Sequence, residues 1–295
     1  LNSNIMKTLI IDGNNLVHRT FWIVKTRISE QEQSSSDSIE NLHIYFTLNA
    51  INSYVSMFKP DKILVAWDEK PDYESNIRKS MLTEYKGNRS GDSTPHQHNE
   101  AIKEILGLLG IKSVFPRELE ADDVIAYLCK ESEGKKVIVS VDRDFIQLVN
   151  EDVTLFDPIR KKEFNNSNFK EVTEYSNVEE WMTAKCLAGD KSDNVAGIPK
   201  FGKVKISKYL NGEITLTEEE QSVFNRNRDI FCLSRYKNTP RELEYYNNQM
   251  EQTVKGSWKD FIKSCEVRSF QNILKKKESW YSLFFMQQKL SSLFA

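Results

Sequence analysis

The run Lys136-Val137-Ile138-Val139-Ser140-Val141-Asp142-Arg143-Asp144 is a short, nearly unbroken series of β-branched residues that ends in two acids. Such a run suits a strand buried on both faces. In an extended segment residues two apart point the same way, so Asp142 and Asp144 face a common side. The pattern recurs outward along the chain: Lys7 to Ile11 is followed by Asp12, and Lys62 to Trp67 by Asp68. Ile111 to Phe115 and Val153 to Phe156 are two further runs of the same kind. Between them, Ile39 to Phe58, Asn99 to Leu109 and Leu119 to Lys130 have helical spacing. The alternation predicts an α/β fold, a mostly parallel central sheet flanked by helices. From Asn177 the chain reads as helical, over Val178 to Ala188, Lys203 to Leu210, Glu218 to Cys232 and Trp258 to Lys277. Ser29 to Ser38 and Lys86 to His96 read as polar loops.

Ligands of parallel sheets gather at the carboxyl ends of the strands. Three strands thus deliver Asp12, Asp68 and the Asp142/Asp144 pair to one edge. Glu120, Asp122 and Asp123 open the helix after the third strand, and Asp190 and Asp193 lie in the segment 189–194. Any one of these acids is explained as well by an Asx-turn or a helix cap. Caps do not require the same edge of one sheet. Converging carboxylates repel and raise one another's pKa unless cations neutralise them. An all-oxygen set without His or Cys suits Mg²⁺ or Mn²⁺ rather than Zn²⁺. Two such ions would serve phosphodiester hydrolysis.

The net charge of −2 argues against a nucleic-acid enzyme at first sight. Setting eight metal-bound carboxylates aside leaves an excess of six positive charges, so the chain is basic around an acidic centre. The four cysteines are scattered without a C-x-x-C pair, which excludes a zinc or disulfide framework and fits a reducing, cytoplasmic setting. No apolar run is long enough to span a bilayer. Met6 reads as the natural start, and the five residues before it are set aside from the fold. His96 and His98, two histidines in a polar loop, read as solvated rather than metal-bound.

Five motifs in order resemble the 5'-nuclease superfamily, which includes flap endonucleases, the 5'-nuclease domain of bacterial DNA polymerase I and phage ribonuclease H. They are Ile10-Ile11-Asp12-Gly13-Asn14-Asn15-Leu16 with Arg19; Arg78 with Glu84-Tyr85-Lys86-Gly87-Asn88-Arg89; Glu120-Ala121-Asp122-Asp123; Ser140 to Asp144; and Gly189-Asp190-Lys191-Ser192-Asp193-Asn194-Val195. The resemblance spans about residues 6 to 235 and is nearest to the stand-alone phage branch. It implies a nuclease core over 6–176, with a helical arch around 69–98, and a helical DNA-binding portion over 177–295. It implies that Asp12, Asp68, Glu120, Asp122, Asp142, Asp144, Asp190 and Asp193 bind two Mg²⁺, with Asp123 nearby. Lys86 and Arg89 would contact the scissile phosphate, Arg78 would join them, and Tyr85 would stack on a base.

Residues 188–210 resemble the family's helix-hairpin-helix-like element, which holds duplex backbone through loop amides and a K⁺ ion. Gly197 and Gly202 fit, but Lys200 stands where a second glycine is usual, which predicts an altered turn and puts the K⁺ site in question. Lys200, Lys203, Lys205 and Lys208 would then meet phosphates directly, or simply form a solvated face. The lysines of 255–277 extend that surface, or belong to a helix with ordinary core aromatics. Gln287, Leu290, Leu293 and Phe294 resemble a sliding-clamp peptide, or else pack as a last helix.

The expected function is sequence-independent cleavage near 5' ends or flaps of branched DNA and RNA/DNA duplexes, in primer removal, by a monomer. A sliding clamp and a single-stranded DNA-binding protein are the implied partners. The rivals are a structure-specific DNA-binding protein without catalysis and another metal phosphoesterase.

Overall fold

The computed structural model describes residues 5–29, 36–68, 77–88, 93–233 and 240–286. Strand β1 (Lys7–Asp12) pairs in parallel with both β2 (Lys62–Ala66) and β4 (Lys135–Val139). β3 (Lys112–Val114) adds to β2 and β5 (Val153–Asp157) to β4, also in parallel, and β6 (Lys162–Phe164) closes the far edge antiparallel to β5. The sheet order is β3-β2-β1-β4-β5-β6; the sequence reading named the five parallel strands but not β6, which is short and polar. Because the chain leaves β1 toward β2 and later returns to its other side as β4, the order reverses at β1, and Asp12 stands at this switch point.

Alternation along β1 explains the layers. Leu9 and Ile11 enter one core and Ile10 the other, all three fully buried. On the first side lie α1 (Gly13–Ser29), α2 (Ser36–Phe58) and α4 (Asn99–Leu108). On the second lie α5 (Ala121–Glu131), α7 (Val178–Ala188), α8 (Lys203–Leu210) and α9 (Glu218–Phe231). The short helices α3 (Ile77–Met81) and α6 (Phe169–Thr173) lead into and follow these elements. Gly13 begins α1 directly after Asp12, where an added Cβ would come within 2.7 Å of the Ala66 carbonyl and the Trp67 ring. Only glycine lets the first acid and the helix behind it sit so close to β2.

The long helix expected over Trp258 to Lys277 is three: α11 (Trp258–Val267), α12 (Gln271–Lys275) and α13 (Lys277–Tyr281). The break falls at Ser269, with φ of 58°, and it lets Phe270 turn into the core. Phe261, Phe270, Trp280 and Phe284 are all buried there, so these aromatics are core residues on the side of α1, α2 and α4. The sequence reading also missed α10 (Pro240–Glu251).

Candidate functional site: an acidic centre at the switch point

The register that pairs Ile11 with Val139 brings Ser140 beside Asp12. Ser140 Oγ donates to one Asp12 oxygen at 2.7 Å and accepts the Asp142 amide at 3.0 Å, so one hydroxyl fixes both acids. The other Asp12 oxygen accepts the Asn15 amide at 3.0 Å. Asp142 in turn caps a 3₁₀ turn (Arg143–Leu148) by accepting the Asp144 amide at 2.8 Å. Asp68 accepts the Ala121 amide at 2.6 Å and exchanges hydrogen bonds with the Asn14 side chain, which ties the end of β2 to α5. Glu120 caps α5, and Asp122 lies in its first turn. Asp190 and Asp193 belong to a tight hairpin of β7 (Gly189–Asp190) and β8 (Val195–Ala196).

That hairpin is joined to the segment 83–88. The Lys86 amide donates to the Asp193 carbonyl at 2.8 Å, Asn194 Nδ2 to the Glu84 carbonyl at 2.9 Å, and Asn88 Nδ2 to the Lys191 carbonyl at 2.9 Å. Lys86 itself has φ of 54°, a left-handed backbone costing a non-glycine residue about 1–2 kcal/mol, which these bonds hold in place. Its ammonium reaches Glu120 at 2.9 Å.

The acids divide by their company. Burial pushes Asp12 up to about 7, and it also raises Asp68, Asp122 and Asp142 above the ordinary carboxylate range, with neighbouring acids adding to the effect. Glu120 and Asp190 go the other way. Burial works to raise them, but Lys86 and Arg78 at Glu120, and Ser192 and Lys185 at Asp190, outweigh it and hold both below their usual values. Four acids raised by desolvation, with neighbouring acids adding to it, are a donor set that a hard divalent cation would relieve. Among the described residues no three such groups already stand in a ready ligand arrangement; Lys86 contacts Glu120, and Lys185 contacts Asp190. In kind and location the residues fit a cation.

Three residues face elsewhere than expected. Asp123, read with the metal ligands, has one oxygen accepting Arg78 Nη2 and the other accepting Arg78 Nη1, both at 2.7 Å, and the Glu120 amide at 3.1 Å. Arg78, read as a phosphate contact, is 3% exposed and also donates to the Ile230 carbonyl at 3.0 Å, so it ties α3 to α5 and α9. Tyr85, read as a platform for a base, is buried and donates its hydroxyl to Glu120 at 3.2 Å. Arg19 donates to the Tyr54 hydroxyl at 2.7 Å. Arg89 and the tail residues Gln287, Leu290, Leu293 and Phe294 lie outside the described residues.

In the hairpin element, Lys200 takes φ of 64°, so the turn keeps a left-handed residue although it is not glycine. Gly197 follows β8 and Gly202 caps α8. Lys200 and Lys208 are exposed; Lys203 pairs with Glu174 at 3.1 Å and Lys205 with Glu220 at 3.3 Å. His96 and His98 are not simply solvated. All four histidines gather around α1 and α2: His43 and His98 share a 3.0 Å contact between Nδ1 atoms, and the His18 and His96 rings lie 6.4 Å apart.

Sequence reasoning missed Lys185. Its side chain is 10% exposed, and its ammonium contacts both Asp144 and Asp190, the latter at 3.1 Å. The available signal was a single lysine inside the otherwise uncharged run Trp181 to Ala188, five residues before Asp190.

A family profile described as the 5'-3' exonuclease N-terminal resolvase-like domain matches residues 7–179. DNA polymerase I of Caldicellulosiruptor bescii is 31% identical over 236 residues, 74% of this chain and 26% of that protein. DNA polymerase I of Mycobacterium bovis is 34% identical over 215 residues, 68% of this chain and 22% of that protein. The chain thus spans about a quarter of the length of these relatives. Among solved structures, the T5 D15 protein co-crystallised with metal ions aligns with TM-score 0.67 at 18% identity, over 83% of this chain and 98% of the other. Flap endonuclease-1 from Methanococcus jannaschii aligns with TM-score 0.52 at 15% identity, over 95% of this chain and 96% of the other. At these identities the likeness to solved structures is one of fold.

Proposed function

Because the chain belongs to the 5'-3' exonuclease family with the N-terminal resolvase-like domain, we propose that it is a divalent-metal-dependent, structure-specific nuclease. It hydrolyses phosphodiesters near 5' ends or flaps of branched DNA and RNA/DNA duplexes, in primer removal. The observation that carries this reading is the delivery of Asp12, Asp68 and Asp142 to one edge of the sheet around the switch point, each with its pKa raised above the ordinary carboxylate range. The metal-ion complex of the T5 D15 protein, and the complex of a variant form of it with DNA and metal ions, support it.

Asp12, Asp68, Glu120, Asp122, Asp142, Asp144, Asp190 and Asp193 would hold two Mg²⁺ or Mn²⁺. When bound, such ions supply Lewis acidity at the phosphate and lower the pKa of water. The chain's own part is positional. Ser140 fixes the orientations of Asp12 and Asp142, and Asn14 that of Asp68. Lys86, anchored by its backbone to the Asp193 carbonyl, presents an ammonium at the rim of the centre, where it can neutralise phosphate charge together with Arg89. Arg78 and Asp123 act behind them, fixing the entry of the 77–88 segment against α5. The hairpin element with Lys200 and Lys208 meets duplex backbone without reading bases.

The test is cleavage of an end-labelled 5'-flap duplex with Mg²⁺ or chelator, by the wild type and by Asp142→Ala. Mg²⁺-dependent cutting near the junction, lost in the variant, is the expected result. Tight binding without cutting by the wild type would favour the non-catalytic DNA-binding reading.

A further inference from the structure

We infer that Lys185 is a resident cation of the acidic centre, a positioning residue that holds Asp144 and Asp190 together and must withdraw when a divalent ion takes them. The inference rests on the metal-dependent reading above. Lys185 leaves α7 with its ammonium 4.7 Å from the centre of the Phe231 ring and 5.9 Å from that of the Trp181 ring. Its ammonium bridges carboxylates from two separate elements, the 3₁₀ turn after β4 and the β7–β8 hairpin. No other cation among the described residues touches both.

The geometry makes ammonium and metal rivals. A Mg²⁺ ion sits about 2.0–2.1 Å from its oxygen ligands. It cannot approach the Asp144 oxygen along a direction already filled by an ammonium proton, and two cations sharing the same carboxylates repel. In the bridging position the ammonium already lies over the Phe231 and Trp181 rings, which help to hold it there. Lys185 thereby keeps the centre assembled in the metal-free protein and sets a threshold of divalent concentration for filling it.

Two variants of the full chain test this without nucleic acid. Lys185→Met keeps the stem and removes the charge; Lys185→Arg keeps the charge. Calorimetric Mn²⁺ titration should give about tenfold tighter binding at the weaker site in Lys185→Met, the size of effect typical of groups that tune metal ligands. Lys185→Arg should not show this gain. Unchanged or weaker Mn²⁺ binding by natively folded Lys185→Met overturns the inference. In the wild type, amine acetylation of Lys185 read by mass spectrometry should rise on Mn²⁺ saturation, and protection that does not change overturns it independently of how the variants fold. If neither wild type nor variant binds Mn²⁺, the metal-dependent reading falls as well; equal binding brings down the role of Lys185 alone.

Discussion

Replacing Arg78 by Met removes the guanidinium that neutralises Asp123, a carboxylate only 2% exposed. Two bonds of 2.7 Å to Asp123 and one of 3.0 Å to the Ile230 carbonyl are lost, with the 3.4 Å contact to Glu120. Burial alone would lower the Arg78 pKa, but attraction to Asp123 and Glu120 outweighs it and raises the value well above normal, so the pair is strongly favoured once buried. Removing one partner of a buried, hydrogen-bonded pair costs about 3–5 kcal/mol, because the other charge is stranded. The Ile230 carbonyl adds about 1 kcal/mol. For a chain near this size, about 2–4 °C per kcal/mol makes the melting temperature fall by roughly 8–24 °C. Arg78→Met combined with Asp123→Leu should recover most of that loss, since no charge is then left unpaired. Thermal unfolding followed by circular dichroism measures all three proteins. A single variant within about 1 kcal/mol of the wild type, or a double variant no better than the single one, would refute the tethering role given to Arg78.

Gly189 has φ of 73°, and a Cβ there would lie 2.2 Å from the Gly197 nitrogen and 2.5 Å from the Val195 carbonyl oxygen. Gly189→Ala should therefore lose about 2 kcal/mol or more in urea unfolding, and a loss under about 0.5 kcal/mol would contradict the close approach. The pH dependence follows from Asp12, raised from 3.8 to about 7 mainly by burial. The folded state retains that proton longer than the unfolded chain, so this contribution to stability is present below about pH 4 and is lost as pH rises through 7. A divalent cation selects the ionised form. The stabilisation by Mg²⁺ should grow with pH over the same window in the wild type and be flatter in Asp12→Asn; a Mg²⁺ effect independent of pH would count against the assignment.

The strands and their terminal acids were legible because the signals are local: a β-branched run, then an acid, repeated at Asp12, Asp68 and Asp142. What lay hidden depends on distant partners. α10 is polar along its length, and it is held by Glu242, which accepts the Arg117 and Glu118 amides, and by the buried Tyr246 ring. Leu243, Tyr246 and Met250 have helical spacing, but they are few among polar residues and the signal is faint. Tyr85 and Arg78 look like surface recognition residues in a polar segment, yet Glu120 and Asp123 draw them inward from 35 and 45 positions away. Lys185 escaped notice because a lone lysine among apolar helix residues gains its meaning only when the fold brings Asp144 to it. Lys200 shows the converse: the residue type argued against a left-handed turn, yet its backbone takes φ of 64°.

Anomalous scattering from crystals grown with Mn²⁺ tests the central claim most directly. Two peaks about 4 Å apart, bounded by Asp12, Asp68 and Asp142 on one side and by Asp144 and Asp190 on the other, are predicted, the separation being that of two-metal phosphodiesterase sites. An acidic centre without a peak at saturating Mn²⁺, in crystals of protein that binds branched DNA, would contradict it.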